Sequence, residues 1–168
     1  MPSVLDHKPF GSPLWGTLNA QGNLVSMLGD VTTSENVAFL NAEARRLGGP
    51  VMVIDDASHT QPTSLKLYAA LSHLVTVGSY YLVQDTRLDS DCALSFLTLP
   101  PGSVYWYCRK IQNEGGPARA VANITSQAAF RRSWKQDRSV EQWVITQHPG
   151  GYLLRLQGVK GGGRSDAR

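Results

Sequence analysis

The chain has 168 residues, 42% hydrophobic composition and a formal net charge of +3 at pH 7. That length suits one domain with a sizeable core, and no apolar run reaches the ~20 residues that a membrane-spanning helix needs. The charge is modest and sits largely at Arg131, Arg132 and Lys135 and in the 160–168 tail. It lacks the basic stripe with interleaved aromatics of a nucleic-acid binder, so nucleic acid is not an expected partner. The N-terminus, Met-Pro-Ser-Val-Leu-Asp-His-Lys-Pro, carries no apolar h-region; a cytoplasmic protein is expected. Under that expectation the Asn123–Ile124–Thr125 sequon is a chance match. Cys92 and Cys108 fit no metal-binding spacing and are expected to be reduced and structural.

Residues 1–23 are rich in Pro, Gly, Asn and Ser and read as an irregular lead-in. Leu24–Leu28 is a predicted strand that stops at Gly29–Asp30. Thr32, Thr33 or Ser34 can cap a helix over Glu35–Leu47, with Val37, Leu40, Ala44 and Leu47 on one apolar face and Gly48–Gly49 as its stop. Pro50 introduces the strand Val51–Ile54, apolar on both faces as in a central parallel strand covered by helices. Thr60 and Pro62 open a helix to about Val75, with Leu65, Tyr68, Ala69 and Leu71 at helical spacing. Gly78 then turns the chain into the strand Ser79–Val83.

Further on, Leu94–Leu97 is apolar, Pro100–Pro101–Gly102 breaks the chain, and Val104–Tyr107 reads as a short strand or a packed loop. Gly115–Gly116–Pro117 starts a helix through about Ala129, with Pro in its first turn. Its free amides suit ordinary capping better than anion binding. Trp143–Thr146 and Tyr152–Leu156 are predicted to form an antiparallel hairpin through Gln147–Gly151, with His148 shaping that turn. Residues 158–168 are expected to be a disordered tail. The alternation of strands and helices over 24–157 predicts an α/β domain with a mostly parallel sheet and an antiparallel C-terminal hairpin.

Two strands end in carboxylate: Val51–Met52–Val53–Ile54–Asp55–Asp56 and Ser79–Tyr80–Tyr81–Leu82–Val83–Gln84–Asp85. The segment between them has the length of one parallel crossover, which places both ends on the rim where open α/β sheets bind ligands. Successive strand residues face opposite sides, so Asp55 and Asp56 cannot both serve one site. One of them can meet Asp85 across the ~4.8 Å between neighbouring strands. Two such carboxylates repel unless a cation lies between them. Mg²⁺ suits an oxygen set of Asp56, Asp85 and the amide of Gln84, and Ca²⁺ fits less well for want of further carboxylates. The same aspartates serve equally well as caps of the following turn. His59 stands at the same rim, where it can act as a general base or substrate contact, or simply shape the loop. His73 falls on a helix, with no role assigned. A metal-dependent hydrolase lacks a nucleophile motif.

Several segments resemble the cephalosporin hydroxylase / rhamnosyl O-methyltransferase family, of class I S-adenosylmethionine-dependent methyltransferase fold. They are Val51–Thr60, Leu67–Leu71, Gly78–Thr86, Gly116–Val121, Asp137–Arg138 and His148–Arg155, in matching order over roughly residues 24–156. The resemblance implies a Rossmann-like sheet, S-adenosylmethionine and Mg²⁺ as cofactors, and a small-molecule hydroxyl acceptor such as a sugar or phenol. It implies Asp56, Gln84 and Asp85 as metal ligands, with Gln84 standing where the family has glutamate and one anionic ligand lost. It implies His59 as the neighbouring catalytic histidine, and Gly29, Asp30 and Asp56 on the cofactor side. The expected first two strands, with their Gly-rich cofactor turn, have no counterpart in the roughly 23 residues before the third-strand match. Two readings follow: an O-methyltransferase domain impaired in cofactor binding, or a non-catalytic remnant whose exposed sheet edge mediates assembly, including homo-oligomers.

Overall fold

The computed structural model describes residues 14–17, 25–100, 102–141 and 148–157. Strands β1 (Leu14–Thr17) and β2 (Val25–Leu28) pair antiparallel in a two-stranded sheet of their own. The lead-in thus contains a strand, and the Val25–Leu28 strand joins this hairpin rather than the main sheet. Helix α1 (Ser34–Leu47) follows, with the Thr33 side chain accepting from the Asn36 amide and Gly48 in the left-handed region at its end. Such a Gly is the common helix stop.

The main sheet has the order β3-β4-β6-β5, where β3 is Val53–Asp55, β4 is Tyr80–Val83, β5 is Trp134–Gln136 and β6 is Tyr152–Arg155. β3 and β4 run parallel, in the register Val53–Tyr81, Ile54–Leu82 and Asp55–Val83. β6 lies antiparallel to both β4 and β5, so β5 runs in the same direction as β3 and β4. The antiparallel C-terminal pairing exists, but the partner of β6 within it is Trp134–Gln136. The expected strand Trp143–Thr146 lies outside the described residues, as do the tail from 158 on and Leu24. β5 escapes sequence reading because it spans three residues directly after a helix.

Helix α2 (Gln61–Leu71) crosses between β3 and β4 and continues as a 3₁₀ turn at Ser72–Leu74. It buries Ser64, Leu67 and Leu71; of the expected stripe, Leu71 is buried, Leu65 and Tyr68 pack partly buried against the core, and Ala69 is exposed. The core gathers Leu67, Val75, Tyr81, Val83, Ile124, Phe130, Trp134 and Leu153. Tyr68 meets Tyr81 edge-on at 5.1 Å between ring centroids, a favoured aromatic geometry. Arg155 is buried within this core. Its guanidinium donates to the carbonyls of His73 (2.8 Å) and Val75 and stacks over Trp134 at 5.7 Å. Carbonyls and an aromatic face thus compensate a buried cation that pairs with no carboxylate among the described residues.

Past β4 the chain is helical. The Leu94–Leu97 stretch belongs to α3 (Leu88–Thr98), and Val104–Tyr107 leads into α4 (Trp106–Glu114) instead of forming a strand. The expected long helix is split into α5 (Pro117–Ser126) and α6 (Ala128–Ser133). α3 and α4 pack with Cys92, Val104, Cys108 and Ile111 buried between them. Cys92 and Cys108 are joined by a disulfide, 5.0 Å apart at Cα. The expectation of reduced cysteines is therefore overturned. Their proximity is a product of helix packing, to which a separation of 16 residues gives no clue. Asp89 on α3 accepts from the amides of Gly116 (3.1 Å) and Ala118 (2.8 Å) and so caps α5. A carboxylate at that helix start is favourable. A side chain at Gly116 would put its Cβ 2.3 Å from an Asp89 oxygen.

Strand β3 does not have the expected cover on both faces: Met52 is 53% exposed, Ile54 48% and Leu47 of α1 68%. It is also an edge strand among the described residues.

Candidate active site

The parallel register of β3 and β4 brings the loops after both strands to one rim. Gln84 extends the ladder by one rung, its amide donating to the Asp55 carbonyl at 3.0 Å. Beyond it the two chains turn sharply. His59 and Asp85 each have φ of 53°, the only positive-φ residues other than glycine among those described. Such a conformation costs a non-Gly residue about 1–3 kcal/mol and persists only where the surroundings enforce it.

The surroundings at Asp85 are visible. Its amide donates to His148 Nδ1 at 2.7 Å, and Thr86 donates to the Pro149 carbonyl at 2.9 Å. Gly151 exchanges backbone bonds with Val83 and His148, and its Cβ, if present, would lie 2.2 Å from the Val83 carbonyl oxygen. Only glycine lets the 148–151 turn close on the end of β4. His148 Nδ1 also lies 3.6 Å from Asp85 Oδ1.

Three predicted side chains converge here. His59 Nε2 lies 3.7 Å from Asp56 Oδ1 and 3.6 Å from Asp85 Oδ2. One ligand atom from each of Asp56, His59 and Asp85 falls within 4.8 Å of the others. Two carboxylate oxygens and an imidazole nitrogen at that spacing are chemically fit to hold a divalent cation. Gln84 is half-buried beside Asp85 in the chain.

Asp55 points elsewhere, as strand alternation requires. It is buried, and burial pushes its carboxyl above the usual range against the opposing pull of the Ser64 hydroxyl and the Ala57 amide. Its Oδ2 and the hydroxyl of Tyr81 are buried with no hydrogen-bond partner among the described residues. Gly29 and Asp30 lie apart from the trio. Asp30 accepts from the amide and hydroxyl of Thr32 and from Lys66 at 2.7 Å, and these contacts hold its carboxyl well below the usual range. It ties the start of α1 to α2, while its neighbour Val31 reaches a cavity wall.

Two cavities flank the trio. One, of about 380 Å³, is lined by His59, Asp85, Leu88, Trp106, Tyr107 and Lys110. The other, of about 330 Å³, is lined by Val31, Leu40, Ile54, Asp55, Asp56 and Tyr81. Ala57 borders both.

A family model described as rhamnosyl O-methyltransferase/CmcI matches residues 20–156. The chain belongs to this family. No individual curated protein and no solved structure matches it significantly. The segments that carried the resemblance therefore lie in a genuine member, and the rim where Asp56, His59 and Asp85 meet lies within the matched region. Sequence reading missed the α4 residues Trp106, Tyr107 and Lys110, and treated His148 only as a turn residue. His73, exposed, bonds to Asn41 far from this rim.

The buried Asp55 yields a pH-dependent expectation. A carboxyl raised by burial is unfavourable to the fold once ionised, so its contribution declines as pH rises through the usual carboxylate range. Asp55→Asn should raise Tm by a few degrees at pH 7, and the gain should vanish below pH ~4, where both states are protonated. Thermal unfolding across pH checks this; a variant less stable at pH 7 contradicts it.

Proposed function

We propose that this domain carries out O-methyl transfer from S-adenosylmethionine to a small-molecule hydroxyl with the help of a divalent cation. The observation that carries the reading is the convergence of Asp56, His59 and Asp85 between two cavities, in a member of a rhamnosyl O-methyltransferase family. Asp56 and Asp85 are the cation's carboxylate ligands, with the Gln84 carbonyl as a neutral neighbour. A bound cation lowers the pKa of an acceptor hydroxyl and orients it. Mg²⁺ is the ion expected from the resemblance; the nearby imidazole also suits Mn²⁺.

His59 is the proton acceptor. Its Nε2 lies between the two carboxylates, so it is held at the position where the acceptor hydroxyl loses its proton. Its left-handed backbone fixes the ring's direction. The cavity beside Asp55 and Asp56 is assigned to the methyl donor, whose sulfonium supplies an electrophilic methyl. The cavity's lining combines the polar residues Asp55, Asp56 and Tyr81 with apolar ones, as small-molecule sites do. Gly29 and Asp30 are assigned to the same side, next to Val31. The cavity lined by Trp106 and Tyr107 is assigned to the acceptor.

The measurement is transfer of labelled methyl from S-adenosylmethionine to a panel of catechols and sugars with Mg²⁺ or Mn²⁺ present. Transfer should occur, should stop with EDTA, and should fall at least ~100-fold in His59→Ala, the typical scale of general-base catalysis. Transfer unaffected by EDTA and by His59→Ala would sink the assignment.

A second reading is that the chain acts through assembly. It is favoured by the apolar exposure of Leu47, Met52 and Ile54 beside the β3 edge, since an open strand edge invites pairing with another chain. Sedimentation should then show concentration-dependent association that Ile54→Lys weakens. A monomer at all concentrations would eliminate it.

A further inference from the structure

We propose that the acceptor is a planar aromatic hydroxy acid, its hydroxyl directed at the Asp56–His59–Asp85 trio and its carboxylate at Lys110. The proposal rests on the methyl-transfer reading of this site and adds the chemical class of the compound it takes.

Three features of the 380 Å³ cavity carry it. The first is charge. Lys110 lines the cavity, is half-buried, and pairs with no carboxylate among the described residues. Arg87 pairs with Asp91 and Arg119 approaches Asp89, whereas Lys110 has no such contact among the described residues. A cation that lines a cavity and has no counter-ion among the described residues favours a ligand with an anionic group. The second is the wall. Trp106 and Tyr107 stand nearly perpendicular, at 85° with centroids 6.2 Å apart, and Trp106 is 76% exposed. An exposed indole beside a cavity offers a flat face for a ring to stack on. Leu88 and Ile111 supply the apolar remainder of the lining. The third is polarity, since His59 and Asp85 line the same cavity. A neutral sugar would leave Lys110 unpaired, and a simple phenol would do the same. A catechol carboxylate satisfies all three features at once.

The placement is also built to last. Trp106, Tyr107, Lys110 and Ile111 all belong to α4, which the Cys92–Cys108 disulfide joins to α3, the helix that bears Leu88.

Calorimetric titration with protocatechuate, catechol and methyl glucoside, with Mg²⁺ or Mn²⁺ present, tests the class. Protocatechuate should bind at least ~10-fold more tightly than catechol, the scale of one charge-assisted contact, and methyl glucoside should be weakest. Lys110→Met should abolish the advantage of protocatechuate over catechol and leave catechol binding within about two-fold, whereas Lys110→Arg should keep most of it. Trp106→Ala should weaken both aromatic ligands together. Equal binding of catechol and protocatechuate, preference for the glucoside, no binding of protocatechuate, or a Lys110→Met loss shared equally by both aromatics would overturn the proposal. If protocatechuate binds as described but is never methylated, the methyl-transfer reading fails and the ligand class stands.

Discussion

The parallel pairing of β3 with β4 is the constraint on which the site depends. With Asp55 level with Val83, the residues just past each strand share one rim, and strand alternation then sorts them. Asp55 turns into the buried side and Asp56 toward Asp85. The sharp left-handed turns at His59 and Asp85 complete the arrangement, and the one at Asp85 is stabilised from outside. The Gly151 turn closes on β4 with no room for a side chain, which delivers His148 to the Asp85 amide. The strain at Asp85 is thus offset by contacts from the 148–151 turn that leads into β6, far along the chain.

A second layer, the α3–α4 pair, gives that rim its acceptor-side wall. Its order comes from two long-range ties: the disulfide between the helices, and Asp89 of α3 capping the start of α5. Each tie uses a buried or half-buried group that would otherwise lack a partner. The result is a cavity with an aromatic wall and a lysine that has no carboxylate partner among the described residues, next to a second, more apolar cavity lined by Asp55, Asp56 and Tyr81.

Much of this was legible in the sequence, for physical reasons. Val51–Asp56 and Ser79–Asp85 are short apolar runs that end in carboxylate, and a crossover of that length between them permits parallel pairing. The inequality of Asp55 and Asp56 followed from alternation alone. The family resemblance rested on the same segments and on His148–Arg155. What stayed hidden depended on tertiary contact. Cys92 and Cys108 meet only because two helices pack. Trp134–Gln136 becomes a strand because β6 offers it an edge, in spite of the helix before it. Lys110 gains its meaning from what it does not touch. Trp106 and Tyr107 looked like a strand or loop because aromatic residues favour strands, and packing of Cys108 and Ile111 against α3 overrode that preference.

The central claim is that the β3–β4 pairing builds a single cation site with Asp56 and Asp85 as its carboxylate ligands and His59 beside it as the proton acceptor. Electron paramagnetic resonance of Mn²⁺ titrated into the protein tests it directly, because bound ions lose the sharp signal of the free ion. The account predicts one saturable ion per chain, lost in both Asp56→Ala and Asp85→Ala while far-UV circular dichroism stays unchanged. Saturable binding that survives both substitutions, or no binding by the intact protein, would contradict it.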